Sequence, residues 1–348
     1  MVNRKIKDFI LIVFFGVFLI PYCFGSQQWN RHPSTPILQG SQAWEVNAIQ
    51  EVRPYKINNS SWIGIYTGGT TPAVSAALGF ATSTDGINWS KSADPIIGDG
   101  FGDEAGLVYR PNLYVDNGVY YVFYTDNTAG GNMRRQQSSD GGTTWTTKTT
   151  VLDVNGANKP AAVSNGYANS SIYKDGSTYH LMVEAHVGGT SNWNIFHATS
   201  TDLTNWTFSP TTALSTLQVN ADGMYGGPKL FKLGGVWNLW YHSAAGSGTL
   251  PTDIYHATST DLSTWTKTPG IVISRSEEIN TSALGTIDQV SDVWLVENNN
   301  EVYSYYSRVN NNSPLKSNTG LAVFTGPISI LSSETSQDRS SVSGGTFQ

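Results

Sequence analysis

The chain has 348 residues, a formal net charge of −6 at pH 7, and only 13% charged residues. The acidic balance and the lack of a basic run argue against nucleic acid as a partner. Because Cys23 is the single cysteine, an internal disulfide and a zinc site built from several cysteines are both excluded. A large apolar core must therefore stabilise the fold, and the many Gly, Ser, Thr and Asn residues are typical of an all-β secreted protein.

The first segment, residues 1–25, is predicted to be a signal peptide. Three basic residues precede an apolar run over residues 10–20, Pro21 ends that run, and Gly25 offers a small residue for cleavage. The run is shorter than the about 20 apolar residues that a membrane span needs. A retained N-terminal anchor and a lipid attached to Cys23 are the alternatives. We therefore expect a secreted protein without membrane association after cleavage, and its oligomeric state stays open.

One phrase, a run of small polar residues followed by Asp and then Trp, recurs four times along the chain. Its tryptophans are spaced by 56, 61 and 59 residues, at Trp89, Trp145, Trp206 and Trp265. A repeat at this period indicates supersecondary units that stack on one another. We predict that each Asp accepts hydrogen bonds from its own turn and that each Trp packs between neighbouring units. The acids of the phrase, which are not catalytic candidates, are Asp85, Asp140, Asp202 and Asp261.

Each repeat also has a wider order of predicted strands. An aromatic strand, such as residues 118–124 or 235–241, follows a glycine turn, the Asp phrase comes next, and a short apolar strand closes the unit. A fifth unit keeps the aromatic strand at 302–306 and the closing strand at 327–331. Radially arranged four-stranded units are typical of a β-propeller. We predict an all-β, five-bladed β-propeller of four-stranded antiparallel blades over residues 26–335, a flexible tail at 336–348, and blades at about 44–97, 105–152, 165–214, 221–273 and 284–331.

Residues 35–38 match a blade-closing strand, yet they precede the first blade. That leaves one outer strand more than five blades require. We therefore predict that the segment 29–40 docks on the last blade and latches the ring.

Over residues 35–331 the blade phrase and its preceding aromatic strand resemble the five-bladed propeller glycosidases, including glycoside hydrolase families 43 and 32, of the arabinanase, levansucrase and invertase type. The resemblance implies a carbohydrate substrate or ligand and three carboxylates at the starts of inner strands in blades 1, 3 and 4. Local alignment instead places Arg53, Asn169 and Gly226 at those positions. Two functions follow: a hydrolase that uses other residues, or a glycan-binding propeller that has lost the three acids.

In a propeller, residues before each inner strand and after each second strand ring the same opening. The catalytic candidates there are Glu184, which ends an aromatic strand, with Asp222 or His242 as its partner. A carboxyl beside apolar residues can have a raised pKa and act as a general acid or base. A histidine, with an ordinary pKa near 6.5, can protonate a leaving group.

The predicted substrate contacts begin with three arginines that the blade pattern brings towards the opening. Three guanidinium groups could hold the carboxylate of an acidic sugar, or they could pair with Glu51, Glu104 or Asp288 and stabilise the ring. Sialidases also combine three arginines with Asp phrases, but their propellers have six blades, so a sialidase-like enzyme is less favoured. The complete set of predicted substrate contacts is Arg53, Arg110, Asn169, Tyr225, His186, Asp288 and Arg308.

No cofactor is expected from the sequence. Asp288 and Asp292 could bind a structural calcium ion, although the sequence contains no compact ligand loop for one.

Overall fold

A computed structural model of the protein describes residues 29–45, 48–69, 76–98, 106–127, 130–188, 192–214, 224–244, 251–278, 284–311 and 316–325. The predicted signal peptide, the closing strand at 327–331, the C-terminal tail, Glu104 and Asp222 lie outside the described residues. Within the described ranges, no helix is both long and apolar enough to cross a membrane.

The described strands form five antiparallel sheets. Blade 1 contains β3 (Ile49–Asn58), β4 (Ser61–Gly68), β5 (Ala77–Ser83) and β6 (Trp89–Lys91). Blade 2 contains β7 (Val108–Asp116), β8 (Val119–Asp126), β9 (Asn132–Ser138) and β10 (Thr149–Leu152). Blade 3 contains β11 (Val163–Asp175), β12 (Thr178–Val187), β13 (Asn192–Ser200) and β14 (Thr207–Leu214).

Blade 4 contains β15 (Met224–Leu233), β16 (Val236–Ala244), β17 (Thr252–Ser259) and β18 (Thr266–Lys267). Blade 5 contains β19 (Gln289–Asn298), β20 (Glu301–Asn310) and β21 (Lys316–Thr325), joined by the N-terminal strands β1 (Asn30–Arg31) and β2 (Leu38–Gln39). The prediction of an all-β, five-bladed propeller with four-stranded antiparallel blades is confirmed.

The apolar core lies between adjacent blades, because the second strands are buried on both faces. Every residue of β16 is buried, for example. In the interface between blades 3 and 4, Met182 and Ile195 pack with Leu230 and Leu239. Burial of apolar surface at such interfaces, at about 25 cal/mol per Å², replaces the disulfides that the sequence excludes.

The Asp phrases form the turns that the sequence predicts. Asp202 accepts hydrogen bonds from the backbone N–H groups of Thr204 and Asn205, both at 2.8 Å. The backbone and side-chain hydrogen bonds from Asn205 hold the pKa of Asp202 well below its usual range. Trp206 of blade 3 contacts Phe123 of blade 2, with ring centroids 6.5 Å apart. Both roles predicted for this phrase, turn formation and packing between blades, are confirmed.

The N-terminal segment closes the ring. β1 pairs with β21 through Asn30 and Val323, and β2 pairs with the same strand through Leu38 and Thr319. The segment therefore supplies the outer strands of blade 5, so that the last blade contains strands from both ends of the propeller. The predicted latch is confirmed.

Candidate active site at the propeller axis

The second strand of each blade sends one polar side chain to the start of the inner strand in the next blade. These five hydrogen bonds are Glu51 N to Ser307 Oγ at 2.9 Å, Arg110 N to Thr67 Oγ1 at 3.1 Å, Thr125 Oγ1 to Tyr167 O at 3.1 Å, Gly227 N to Glu184 Oε2 at 3.0 Å, and Asp292 N to His242 Nδ1 at 3.2 Å. They follow the fivefold symmetry of the ring and bring the starts of all five inner strands to one axial site.

Each inner strand also has a register irregularity at this level. Such a bulge adds a residue on one strand and redirects its side chain. Glu51 and Arg110 have φ of 59°, and Asp292 has φ of 56°. Positive φ is uncommon for residues other than glycine, and such residues cluster at functional sites. The bulges therefore set the direction of the charged side chains at the axis.

Asn169 lies at the centre of the site. Its Nδ2 donates to Glu184 Oε2 at 3.0 Å and to Asp292 Oδ1 at 2.9 Å. Two acceptors that share one nitrogen at these distances lie no more than about 6 Å apart. The amide therefore holds one carboxylate from blade 3 and one from blade 5 beside each other.

Arg53 connects four blades beneath this amide. Its three guanidinium nitrogens donate to Pro111 O at 3.1 Å, to Asp292 O at 2.7 Å and to Asn169 Oδ1 at 3.0 Å. The residue is only 1% exposed, and burial lowers the pKa of its guanidinium despite the nearby carboxylates. The role that these contacts support for Arg53 is to position the carboxylates and stabilise the ring.

Glu51 supplies a third carboxyl group, from blade 1. Its Oε2 accepts a hydrogen bond from Thr67 Oγ1 at 2.6 Å and another from Arg110 N at 2.7 Å. Burial, followed by the charge of Asp292, raises its pKa to about 7, although Arg110 and Arg53 oppose the shift. A carboxyl that titrates near neutral pH can donate a proton to a leaving group.

His242 lies beside Gly226, where the family resemblance implies an acid. A Cβ at position 226 would lie 2.5 Å from His242 Nε2 and 2.8 Å from Glu184 Oε2. Because His242 Nδ1 accepts the N–H of Asp292, we assign the proton of the neutral ring to Nε2. The imidazole can therefore donate a hydrogen bond from Nε2 in the vicinity of Glu184.

Arg110 forms the more exposed part of the site, with two aromatic rings. Its guanidinium carbon lies 4.9 Å from the ring centre of Tyr109 and 5.1 Å from that of Trp193. The ring of His186 packs edge-on against Trp193 at 5.0 Å. The Arg110 side chain is 22% exposed, and the charge of Glu184 raises its pKa against the effect of burial.

Comparisons with known proteins find structural matches only. No protein-family model matches the sequence, and no curated protein does. The catalytic domain of a Coprinopsis cinerea GH62 α-L-arabinofuranosidase matches with a TM-score of 0.66 and 16% identity, over 86% of this chain and 97% of that one. The Podospora anserina α-L-arabinofuranosidase PaAbf62A, in complex with cellotriose, matches with a TM-score of 0.67 and 13% identity, over 87% and 98%. A complex of BT0996 with RGII matches with a TM-score of 0.64 and 17% identity, over 89% and 93%.

The chain has the five-bladed propeller fold of these glycoside hydrolases. The families named among the matches include GH62, whereas the sequence resemblance pointed to families 43 and 32.

The site residues predicted from the sequence fall into two groups in the structure, those at the axis and those elsewhere. Glu184, His242, Arg53, Arg110 and Asn169 meet at the axis, and His186 lies at its rim through Trp193. Asp222 lies outside the described residues. The roles of these residues stay predictions.

The other three predicted substrate contacts, Tyr225, Asp288 and Arg308, have partners outside the axial site. Tyr225 is fully buried and packs against Tyr241, with ring centroids 5.5 Å apart. The carboxylate of Asp288 accepts the backbone N–H of Asn311 at 2.8 Å. Arg308 is buried, and its Nε lies 2.9 Å from Glu278 Oε2. Arg308 thus pairs with Glu278, which is not one of the partners that the sequence suggested for the arginines. The predicted substrate-binding roles of these three residues stay predictions.

Glu51 and Asp292 are members of the site that the sequence analysis considered as an arginine partner and as a calcium ligand, and not as catalytic residues. A signal for them exists in the repeats. Each of the five axial residues precedes the polar residue of its own second strand by 15 or 16 positions, in the pairs Glu51 and Thr67, Arg110 and Thr125, Asn169 and Glu184, Gly227 and His242, and Asp292 and Ser307.

A metal centre finds no support in the part of the chain that the structure describes. No group of three or more His, Cys, Asp or Glu side chains there could hold a metal ion. Asp288 and Asp292, the pair considered for calcium, have separate partners in Asn311 and Asn169.

Proposed function

We propose that this chain is a secreted glycoside hydrolase that cleaves a bond of an oligosaccharide or polysaccharide at the propeller axis. The observation that supports this most directly is that Glu184 and Asp292 share the amide of Asn169, while a third carboxyl group, that of Glu51, lies close enough to Asp292 for the charge of Asp292 to raise its pKa. Glycosidases generally need two carboxyl groups that flank the scissile bond. The enzyme would therefore use carboxylates at other positions than those that the family resemblance implies.

The environments of the carboxyl groups suggest a division of roles. Glu51, with its pKa raised to about 7, would protonate the leaving oxygen. Glu184, which accepts N–H donors from Asn169 and Gly227, would attack the anomeric carbon or activate water. Asp292, held by Asn169 and by Ser291 Oγ at 2.7 Å, would position the sugar and the His242 ring.

The ligands of the matched structures support a carbohydrate substrate. Cellotriose, xylotriose and RGII are named as their bound partners. Because the identities are 13–17%, they support the class of ligand and leave the particular sugar to experiment.

A glycan-binding propeller without hydrolase activity is the second candidate. One observation favours it: Glu51 and Glu184 are only 5% and 2% exposed, and both already accept hydrogen bonds from the protein. In that case Tyr109, Trp193 and Arg110 would form the contact surface for a sugar ring.

The deciding experiment is a screen of the purified protein against arabinan, arabinoxylan, cello- and xylo-oligosaccharides and pectic oligosaccharides, with chromatographic detection of products. For a cleaved substrate, Glu184→Gln is expected to lower kcat at least roughly 1,000-fold. Glu301→Gln is the matched control, because Glu301 lies six residues, or about 20 Å, along β20 from Ser307. Binding without cleavage by the wild-type protein would favour the second candidate, and wild-type kcat in Glu184→Gln would contradict the assignment.

A further inference from the structure

Arg110 differs from the other described arginines in the use of its guanidinium. In the described part of the chain, that group donates no hydrogen bond, and its one ion pair, from Nε to Glu51 Oε1, has a length of 3.8 Å. Two aromatic rings, those of Tyr109 and Trp193, lie within about 5 Å of the guanidinium carbon. The group is thus fixed in place and partly exposed, while its N–H donors remain available.

The arginines described elsewhere have close partners for their guanidinium groups. Arg53 donates to three protein acceptors, and Arg134 donates to Asp126 Oδ2 at 3.0 Å. Arg135 donates to Leu203 O at 3.2 Å and to Thr204 Oγ1 at 2.9 Å. The fork of Arg110 therefore matches a ligand group rather than a structural acceptor.

The chemistry of that ligand follows from the geometry of the fork. A planar guanidinium binds a carboxylate through two parallel N–H···O bonds. Aromatic side chains beside it offer stacking faces for a sugar ring. We infer that Arg110, which packs against Tyr109 and Trp193, binds the carboxylate of a uronic acid residue in the glycan. This inference rests on the proposed glycan-binding role of the axial site and names its substrate class.

Substrate binding at Arg110 would also act on Glu51. Glu51 faces two arginines, Arg110 and Arg53, and one carboxylate, Asp292, while Arg110 also faces Glu184 and Tyr109. A ligand carboxylate on Arg110 neutralises one of the two cations that favour the charged form of Glu51. The pKa of Glu51, already raised to about 7 by burial, then rises further. Glu51 therefore takes up a proton when an acidic sugar binds, which prepares it to act as the acid.

The test is isothermal titration calorimetry at pH 7.5 with oligogalacturonates and oligoglucuronates, each compared with its methyl ester. We expect the wild-type protein to bind one of the acids at least tenfold more tightly than its ester. Arg110→Gln, and also Arg110→Lys, which keeps the charge but loses the fork, should reduce this ratio to near one. Thermal melts verify that the variants fold, and Arg134→Gln, which removes a partnered arginine, is the matched control and should keep the ratio.

Titrations in two buffers of different ionisation enthalpy measure the proton uptake. Uptake on binding of the acid, absent with the ester and in Glu51→Gln, is the expected result. The inference would be overturned if the wild-type protein bound acid and ester equally or bound neither, or if both Arg110 variants kept the wild-type ratio. Binding of the acid without proton uptake would overturn the coupling to Glu51. Because the readout is binding, a protein that prefers uronates but cleaves nothing would contradict the proposed hydrolase alone. Arg110-independent cleavage of neutral glycans would contradict only the inference.

Discussion

The carboxyl group of Glu184 occupies the space that a side chain on Gly226 would fill at the axis. A Cβ on residue 226 would lie 2.8 Å from Glu184 Oε2 and closer still, at 2.5 Å, to His242 Nε2. The absence of a side chain in blade 4 is thus what admits a carboxylate from blade 3 and an imidazole from the neighbouring strand. The acid that the family resemblance implies at position 226 is absent, and the carboxyl group of Glu184 lies beside that position instead.

The Gly226→Ala variant tests this relationship. The added methyl group must displace Glu184 and His242, and overpacking of this kind costs about 1–3 kcal/mol of unfolding free energy. Urea unfolding measures the loss. Removal of one clashing partner should recover part of it, so Gly226→Ala with His242→Ala should be less destabilised than the sum of the two single variants. Additive losses would contradict the shared volume.

Glu51 should make folding stability fall as the pH rises. Its pKa is raised from 4.5 to about 7 in the folded protein, so the folded state binds the proton more tightly than the unfolded chain does. The resulting stabilisation is complete below pH 4.5 and is lost as the pH rises through about 7. In urea midpoints measured from pH 4.5 to pH 8, wild type should lose stability relative to Glu51→Gln. Parallel curves would show that the carboxyl titrates normally.

His180 should have the opposite effect on stability. Burial lowers its pKa below the ordinary 6.5, and its Nδ1 lies 3.1 Å from His197 Nε2. Because the unfolded chain binds the proton more readily, stability is lost as the pH falls below 6.5. Blade 4 offers the matched replacement, since Asn238 Oδ1 lies 3.0 Å from His256 Nε2 in the same arrangement. His180→Asn should therefore flatten the acid side of the stability curve, and an unchanged slope there would contradict this account.

The latch should depend on a buried ion cluster as well as on strand pairing. Glu278 Oε1 accepts from Arg31 Nε at 2.5 Å and from Tyr306 Oη at 2.8 Å, and its side chain is 1% exposed. Arg31→Ala removes one partner of this buried carboxylate, for which we expect a loss of roughly 2 kcal/mol. Chemical denaturation measures it, with the exposed Ser34→Ala as the control in the same segment. Equal stability of both variants would show that the ion cluster does not stabilise the latch and that its strand pairing suffices.

The fold could be predicted from the sequence because four of the five blades carry the same local signal. The turn of Asp202 and Trp206 is specified by adjacent residues. Four evenly spaced copies, with a fifth aromatic strand at 302–306, indicate the number of blades. The latch was predictable for a similar reason, since residues 35–38 repeat the pattern of a closing strand and β2 includes Leu38.

The axial site was predictable only in part, because its contacts join distant strands. Asn169 and Asp292 are 123 residues apart, and the direction of each side chain depends on a bulge such as that at Glu51, with φ of 59°. Motif alignment gave Arg53 the place of an acid, whereas the carboxyl that reaches the site belongs to Glu51, two residues earlier. Pairing of each axial residue with the polar residue 15 or 16 positions later would have selected it.

The most direct test of the account is the dependence of cleavage on the leaving group in Glu51→Gln. A general acid matters most when the leaving oxygen is basic. Once a cleaved glycan is known, kcat/KM is measured for that natural linkage and for an aryl glycoside of the same sugar with an acidic phenol. We expect a loss of at least roughly 100-fold on the natural linkage and a loss of less than about tenfold on the aryl glycoside. Equal losses on both substrates, or no loss on either, would contradict the placement of the catalytic acid at the propeller axis.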